Sequence, residues 1–228
     1  MDFSVSTLPY ILIPLLSYLL GSIPFGVIIG KIVAGVDIRR HGSGNIGMAN
    51  VLRTAGIRAA ILVLVLDMSK SVLPMVLSGI VIESPHLKVA AGLAALAGHI
   101  WPIFIKFKGG RAAAPGVGAL FILSPLSGLI TTILAATVIG TTRYVSLGSI
   151  IGTMSGSVCL IVLSLTGIEP MANVWFAVIA GSLIIARHRE NVLRLVRGQE
   201  HRIGQTVNSV DATQTNKRGK GFRWPKLV

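Results

Sequence analysis

The sequence predicts an all-α integral membrane protein, a helical bundle that crosses the bilayer about seven times or, alternatively, five, with its candidate-site loops on the cytoplasmic side. Three observations predict it. The 228 residues are 52% hydrophobic and only 13% charged, with a mean hydropathy of +0.77, whereas soluble domains carry about 25% charged residues. The apolar residues fall in runs long enough to span a hydrocarbon core. The net charge of +13, from 21 Lys and Arg against 8 Asp and Glu, collects in short polar gaps and at the C-terminus, as suits an anionic cytoplasmic leaflet. That basic excess is assigned to membrane lipid, and no nucleic-acid partner is expected.

The first run, Leu8 to Val33, is roughly 25 residues, enough for a core of about 30 Å. No basic leader or small-residue cleavage site accompanies it, so it reads as a retained helix rather than a signal peptide. Gly21-Ser22-Ile23-Pro24-Phe25-Gly26 interrupts it, and Pro beside Gly predicts a kink. Further runs lie at Ile57 to Ile82, Leu87 to Ile105, Val117 to Ile139, Leu147 to Leu165 and the shorter Val174 to Ala186. Cationic gaps on one face must be separated by an even number of crossings. Two runs separate the gap Arg39 to Arg53 from the gap Lys106 to Arg111, but three separate the latter from the basic stretch after Arg187. Ser124-Pro125 restores parity, because Pro removes a helical hydrogen bond and splits the run Val117 to Ile139. The split gives seven crossings, with the N-terminus outside and the C-terminus inside. A re-entrant or interfacial segment instead gives five. Residues 1–205 are expected to form the membrane-embedded domain, and 206–228 a disordered, basic cytoplasmic tail drawn to anionic lipid.

Three polar islands carry the candidate chemistry. The first is Arg39-Arg40-His41-Gly42-Ser43-Gly44-Asn45-Ile46-Gly47-Met48-Ala49-Asn50, closed by Arg53. Cations, amides, a hydroxyl and glycines grouped in a membrane chain point to a polar ligand, and the preponderance of donors makes that ligand an anion. Gly42, Gly44 and Gly47 let backbone N–H groups converge, Ser43 and Asn45 add neutral donors, and Arg53 offers a bidentate fork to phosphate. The second island ends in Lys108-Gly109-Gly110-Arg111, glycines and cations ahead of a helix start, without the Lys-Ser or Lys-Thr of a Walker loop. His99 and Trp101, just before it, suit interfacial anchoring as well as a functional role. The third island, Arg187 to Glu200, alternates arginines with Val192, Leu193, Leu195 and Val196 as a surface amphipathic helix does; His188, Asn191 and Glu200 are not needed for that. Cys159 stands alone in an apolar run, which excludes an intramolecular disulfide and a thiolate metal cluster. No metal or other cofactor is expected.

Taken in order, these islands resemble those of the bacterial membrane-integral glycerol-3-phosphate acyltransferases that use acyl phosphate, the PlsY family. The resemblance covers about Leu15 to Gln205. It rests on Gly21 to Gly26; on Gly42-Ser43-Gly44-Asn45-Ile46-Gly47 with Asn50 and Arg53; on Gly98-His99 with Pro102, Phe104 and Phe107-Lys108-Gly109-Gly110; on Arg143-Tyr144-Val145-Ser146; and on Arg187-His188-Arg189 with Asn191, Arg194, Gly198 and Glu200. It implies a compact bundle of seven membrane helices, placed in the bacterial inner membrane with active site and C-terminus cytoplasmic. The family typically continues its second motif as Gly-Gly-Lys-Gly-Val-Ala-Thr, where this chain has Gly109-Gly110-Arg111-Ala112-Ala113-Ala114-Pro115. Met48 likewise replaces a smaller residue.

The implied reaction joins acyl phosphate and glycerol-3-phosphate to give lysophosphatidate and phosphate. Acyl phosphate is a mixed anhydride with an activated carbonyl and a good leaving group, so holding and orienting two anionic head groups supplies most of the rate. The resemblance assigns substrate binding to Gly42, Gly44, Asn50, Arg53, Lys108, Gly109, Gly110 and Arg111, and catalysis to Ser43, Asn45, His188 and Asn191. Arg53 and Ser43 fall on the glycerol-3-phosphate side, Lys108, Arg111 and the amides of Gly109 and Gly110 on the acyl-phosphate side. No His here is followed, after four intervening residues, by Asp, which argues against a His–Asp dyad as general base. Asp67 lies deep in an apolar run and is expected to pair with Lys70, leaving a substrate phosphate oxygen to take the proton. The alternative class is a transporter or flippase for a phosphorylated solute or lipid, but the chain has no convincing internal repeat.

Overall fold

The computed structural model describes residues 7–204, and every regular element among them is helical. The expected all-α membrane architecture is present; the basic tail expected over 206–228 lies outside the described residues. The first run becomes α1 (Leu8–Gly21) and α2 (Phe25–Ala34), broken at Ser22-Ile23-Pro24, where proline cannot donate to the preceding turn. Helix α3 (Met48–Val81) is 34 residues long and bends at Gly56, whose φ of 84° suits glycine. Helix α4 (Pro85–Ile100) leads to a 3₁₀ turn at Ile103–Ile105. The run from Val117 divides where Ser124-Pro125 predicts: α5 (Ala113–Leu123) stops, α6 (Pro125–Thr142) begins, and the Ser124 hydroxyl caps α6 by accepting from the Ser127 N–H. Helices α7 (Val145–Leu165), α8 (Ala172–Arg187) and α9 (Arg189–Val196) follow.

Among the described residues, 5 segments are long and apolar enough to cross a membrane: Leu8–Ala34, Met48–Val81, Pro85–Ile105, Pro125–Thr142 and Val145–Leu165. Helices α5 and α8 are apolar but shorter. The first island differs from a simple loop, because α3 starts at Met48 and so carries Asn50 and Arg53 on its first two turns.

Lipid tails are as apolar as leucine, so small residues and close backbone approach, rather than hydrophobic transfer, hold the helices together. A Cβ on Gly98 would collide with the Tyr18 carbonyl, and one on Gly21 with the Ala95 carbonyl, so α1 and α4 meet backbone to backbone. Gly148, Gly152 and Gly156 line one stripe of α7 and receive Ile139, Ala135 and Thr131 of α6. Met75, Leu96, Ile100, Leu120, Leu160 and Phe176 fill the main core, and a second cluster around Val27, Ile38, Ile46, Val51 and Val63 underlies the first island. The starts of α3, α5 and α7 and the ends of α4, α6 and α8 gather at one end of the bundle. All three islands therefore share that end, the arrangement their crossing parity requires.

Candidate active site

The first island is a loop wound around one side chain. Asn50 is 1% exposed; its amide donates to the carbonyls of Ile38 (2.8 Å), His41 (3.1 Å) and Asn45 (2.9 Å), and its Oδ1 accepts from the Ser43 N–H at 2.9 Å. Its hydrogen-bonding capacity is spent on the loop. Gly42 and Gly44 adopt φ of 56° and 69°, and a Cβ on Gly42 would strike the Asn50 Oδ1, so glycine there permits both the turn and the close approach. Asn45 turns its Oδ1 to the Gly47 N–H at 3.2 Å. Asp37 accepts from Arg39 at the loop's start, and that guanidinium holds its carboxyl well below the usual range. The result presents Ser43, Asn45 and Arg53 to a cavity.

The second island docks onto the end of α4. The Gly110 N–H donates to the His99 carbonyl at 3.0 Å, the Phe107 N–H to the Pro102 carbonyl at 2.9 Å, and Arg187 Nε to the Gly110 carbonyl at 3.3 Å. The Gly110 amide is thus already engaged. Lys108 is exposed and stands off the cavity wall, while Arg111 lines it, half-buried. Burial, with Arg194 nearby, lowers the Arg111 pKa to about 10, which leaves it cationic at neutral pH. Pro115 occupies the first turn of α5, where a backbone N–H has no intrahelical partner anyway, and its carbonyl accepts from Ser71 at 2.6 Å.

The third island contributes His188, Asn191 and Arg194 to the same cavity. His188 is 2% exposed and donates from Nδ1 to the Ile184 carbonyl at 2.7 Å, which leaves Nε2 as an acceptor. Burial depresses its pKa to about 4, so it is neutral at physiological pH. Asn191 donates to Glu200 Oε1 at 2.7 Å, while its own buried Oδ1 has no hydrogen-bond partner among the described residues.

Sequence reasoning left Ser146, Arg194, Glu200 and His201 out of the candidate set. Glu200 accepts from Ser146 (2.9 Å), Asn191 and Arg194 Nε (2.7 Å); burial alone would raise its pKa, but these donors outweigh burial and lower it. Its isolation among 8 acids was the available signal. The segment after α9 folds back over the mouth: Arg53 donates to the His201 carbonyl at 3.3 Å and the Ile203 N–H to the Arg143 carbonyl at 2.8 Å.

The cavity measures about 370 Å³. Its mouth is lined by Arg53, Arg111 and Arg194 with Glu200, Ser43, His188 and Asn191, and Asp67 also reaches the cavity wall. Below the mouth it becomes an apolar slot walled by Leu64 and Met68 of α3, Val117 and Phe121 of α5, Ala135 and Ile139 of α6, and Thr153 of α7. Thr132 and Ala136 line it while exposed on the bundle surface, so the slot opens sideways. Such a site can hold two anionic groups and an alkyl chain at once.

The family model for glycerol-3-phosphate acyltransferase matches residues 11–198. The glycerol-3-phosphate acyltransferase of Rubrobacter xylanophilus is 40% identical over 194 residues, 85% of this chain and 95% of that protein. Glycerol-3-phosphate acyltransferase 3 of Dehalococcoides mccartyi is 39% identical over 207 residues, 86% and 96% of the two chains. The crystal structure of PlsY, an integral membrane glycerol 3-phosphate acyltransferase, in its glycerol 3-phosphate form superposes with a TM-score of 0.79 at 38% identity, covering 86% of this chain and 96% of that one. Its lysophosphatidic acid form gives 0.78.

Proposed function

The chain belongs to the glycerol-3-phosphate acyltransferase family, and from that premise we propose that this membrane acyltransferase draws its acyl group from acyl phosphate, esterifies the C1 hydroxyl of sn-glycerol-3-phosphate and releases inorganic phosphate. The observation that carries the reading is the cavity itself, a cationic mouth continuous with an apolar slot that opens sideways. It fits a small phosphorylated polyol meeting an amphiphile with an anionic head and a long tail. The reaction is the first step of phospholipid synthesis. The chain crosses the bacterial inner membrane seven times, α5 and α8 included, with the cationic mouth cytoplasmic, in keeping with the positive-inside bias.

Arg53 and Ser43 hold the glycerol-3-phosphate phosphate, Arg111 holds the head of acyl phosphate with Lys108 at the exposed rim, and Gly42, Gly44 and Asn50 shape the loop that presents Ser43. Gly109 and Gly110 bring the backbone close enough for Arg111 to reach the mouth. The glycerol hydroxyl donates toward the unpaired Asn191 Oδ1 or the His188 Nε2, which orients its oxygen lone pair at the acyl carbon. Attack forms the ester C–O bond, the bond from acyl carbon to phosphate oxygen breaks, and the hydroxyl proton passes to a phosphate oxygen. His188, with a pKa of about 4, is a poorer proton acceptor than a phosphate group whose second ionisation lies at about 6. The substrate therefore serves as base. Developing charge on the carbonyl oxygen and leaving group is met by Arg111 and Arg194.

Purified protein given glycerol-3-phosphate with palmitoyl phosphate is expected to produce lysophosphatidate and phosphate in equal amounts. Turnover with palmitoyl-CoA and none with palmitoyl phosphate would overturn the donor assignment. Arg53→Ala is expected to lower kcat/KM by about a hundredfold or more, while Lys88→Ala, beside Gly79 at the other end of α3, should match the parent. Equal losses in the two variants contradict the site.

A further inference from the structure

Behind the second island lies a buried polar cluster that the proposed chemistry does not use. Asp67 and Lys70 of α3 and His99 of α4 are 2%, 1% and 3% exposed. Lys70 Nζ lies 2.7 Å from Asp67 Oδ1, 3.3 Å from His99 Nδ1 and 5.0 Å from the centre of the Phe25 ring. Inside a membrane bundle such a group is costly and marks a function. The Asp67–Lys70 pair balances its own charge, so His99 is not needed for neutrality. Asp67 and His99 also form part of the cavity wall.

We infer that Lys70 and Asp67 act through His99 to fix where the Gly109–Gly110–Arg111 segment stands, which makes His99 a positioning residue for the anion-holding arginine. An ammonium has three donors and no acceptor. With Asp67 and His99 Nδ1 both within reach, the imidazole must offer a lone pair at Nδ1, and its proton sits on Nε2. Nε2 is the atom against which Gly110 packs, so closely that a Cβ there would collide with it. The backbone supports the same junction, since the His99 carbonyl accepts the Gly110 N–H at 3.0 Å and a Cβ on Gly109 would strike that carbonyl. The segment does not hold this shape unaided: Lys106, Phe107 and Ala112 all have φ between 56° and 60°, a strained region for side chains with a Cβ. Displacing His99 releases that segment and moves Arg111 relative to Arg53.

The inference rests on Arg111 holding a substrate phosphate. The test compares the full-length parent, the charge-neutral double variant Asp67→Asn with Lys70→Met, and His99→Gln and His99→Asn, each purified in detergent and checked for melting temperature. Gln places its amide nitrogen near Nε2 and Asn near Nδ1. The expected results are a rise of about tenfold or more in KM for one phosphorylated substrate in the double variant, the other KM unchanged, and a smaller defect in His99→Gln than in His99→Asn. Nitrogen NMR of ¹⁵N-histidine protein should show the Nε2–H tautomer of His99 in the parent and its loss in the double variant. Should the double variant not fold, the Gln and Asn pair and the parent's tautomer decide. Parent-like kinetics with only a lower melting temperature, equal defects in Gln and Asn, or an Nδ1–H parent overturn the positioning role. A parent inactive with both donors defeats the functional reading instead.

Discussion

His188 shows how one buried side chain ties the site's chemistry to its stability. Its pKa is about 4 in the folded chain against an ordinary 6.5, chiefly because burial disfavours the imidazolium. Between those values the unfolded chain binds a proton that the folded chain does not, so His188 lowers stability as pH falls from 6.5 toward 4 and leaves it untouched above 6.5. Melting curves in detergent should therefore show the parent losing stability relative to His188→Gln over that window and running parallel to it at higher pH. A constant offset throughout contradicts a neutral buried His188. Residues of this kind were legible in the sequence where an amide, imidazole or guanidinium had no reason to be in an apolar chain: Arg53, Ser43, Asn191 and His188 all reach the cavity. Asn50 read as a substrate donor because its identity does not reveal that Ile38, His41, Ser43 and Asn45 engage it. Lys108 read as a ligand by adjacency, yet it is exposed while Arg111, three residues on, faces inward.

At the scale of elements, proline was the most readable signal. Pro24 and Pro125 mark breaks where they were expected, since the missing donor acts locally. The early start of α3 and its bend at Gly56 were not readable, because polar side chains on a short helical arm look like a loop until the packing of Val51 is known. The glycine stripe on α7 was equally silent, its meaning residing in the partner helix. Helix α5 walls the apolar slot with Val117 and Phe121, and Val117 lies about 6 Å along the helix from its start at Ala113, at a rise of about 1.5 Å per residue. Val117→Phe is expected to shift preference toward shorter acyl phosphates while leaving KM for glycerol-3-phosphate close to the parent value. An unchanged preference in a chain-length series would remove the acyl tail from this slot.

On the scale of the whole molecule, the parity of cationic gaps foresaw that three islands distant in sequence would share one end. It could not foresee the last described segment, where Glu200 and His201 close over Arg53 and Ser146, because a single carboxylate carries no periodic signal. The sideways opening beside Thr132 and Ala136 has a consequence for how rates are measured. On the proposed reading, one reactant reaches the mouth from water and the other by lateral diffusion within a two-dimensional phase. Saturation by the first follows its molarity, but saturation by the second follows its mole fraction among lipid or detergent molecules. Adding detergent at fixed total acyl phosphate should slow the reaction by surface dilution, and restoring the original donor-to-detergent ratio should recover it; a rate indifferent to detergent would mean that both reactants arrive through water.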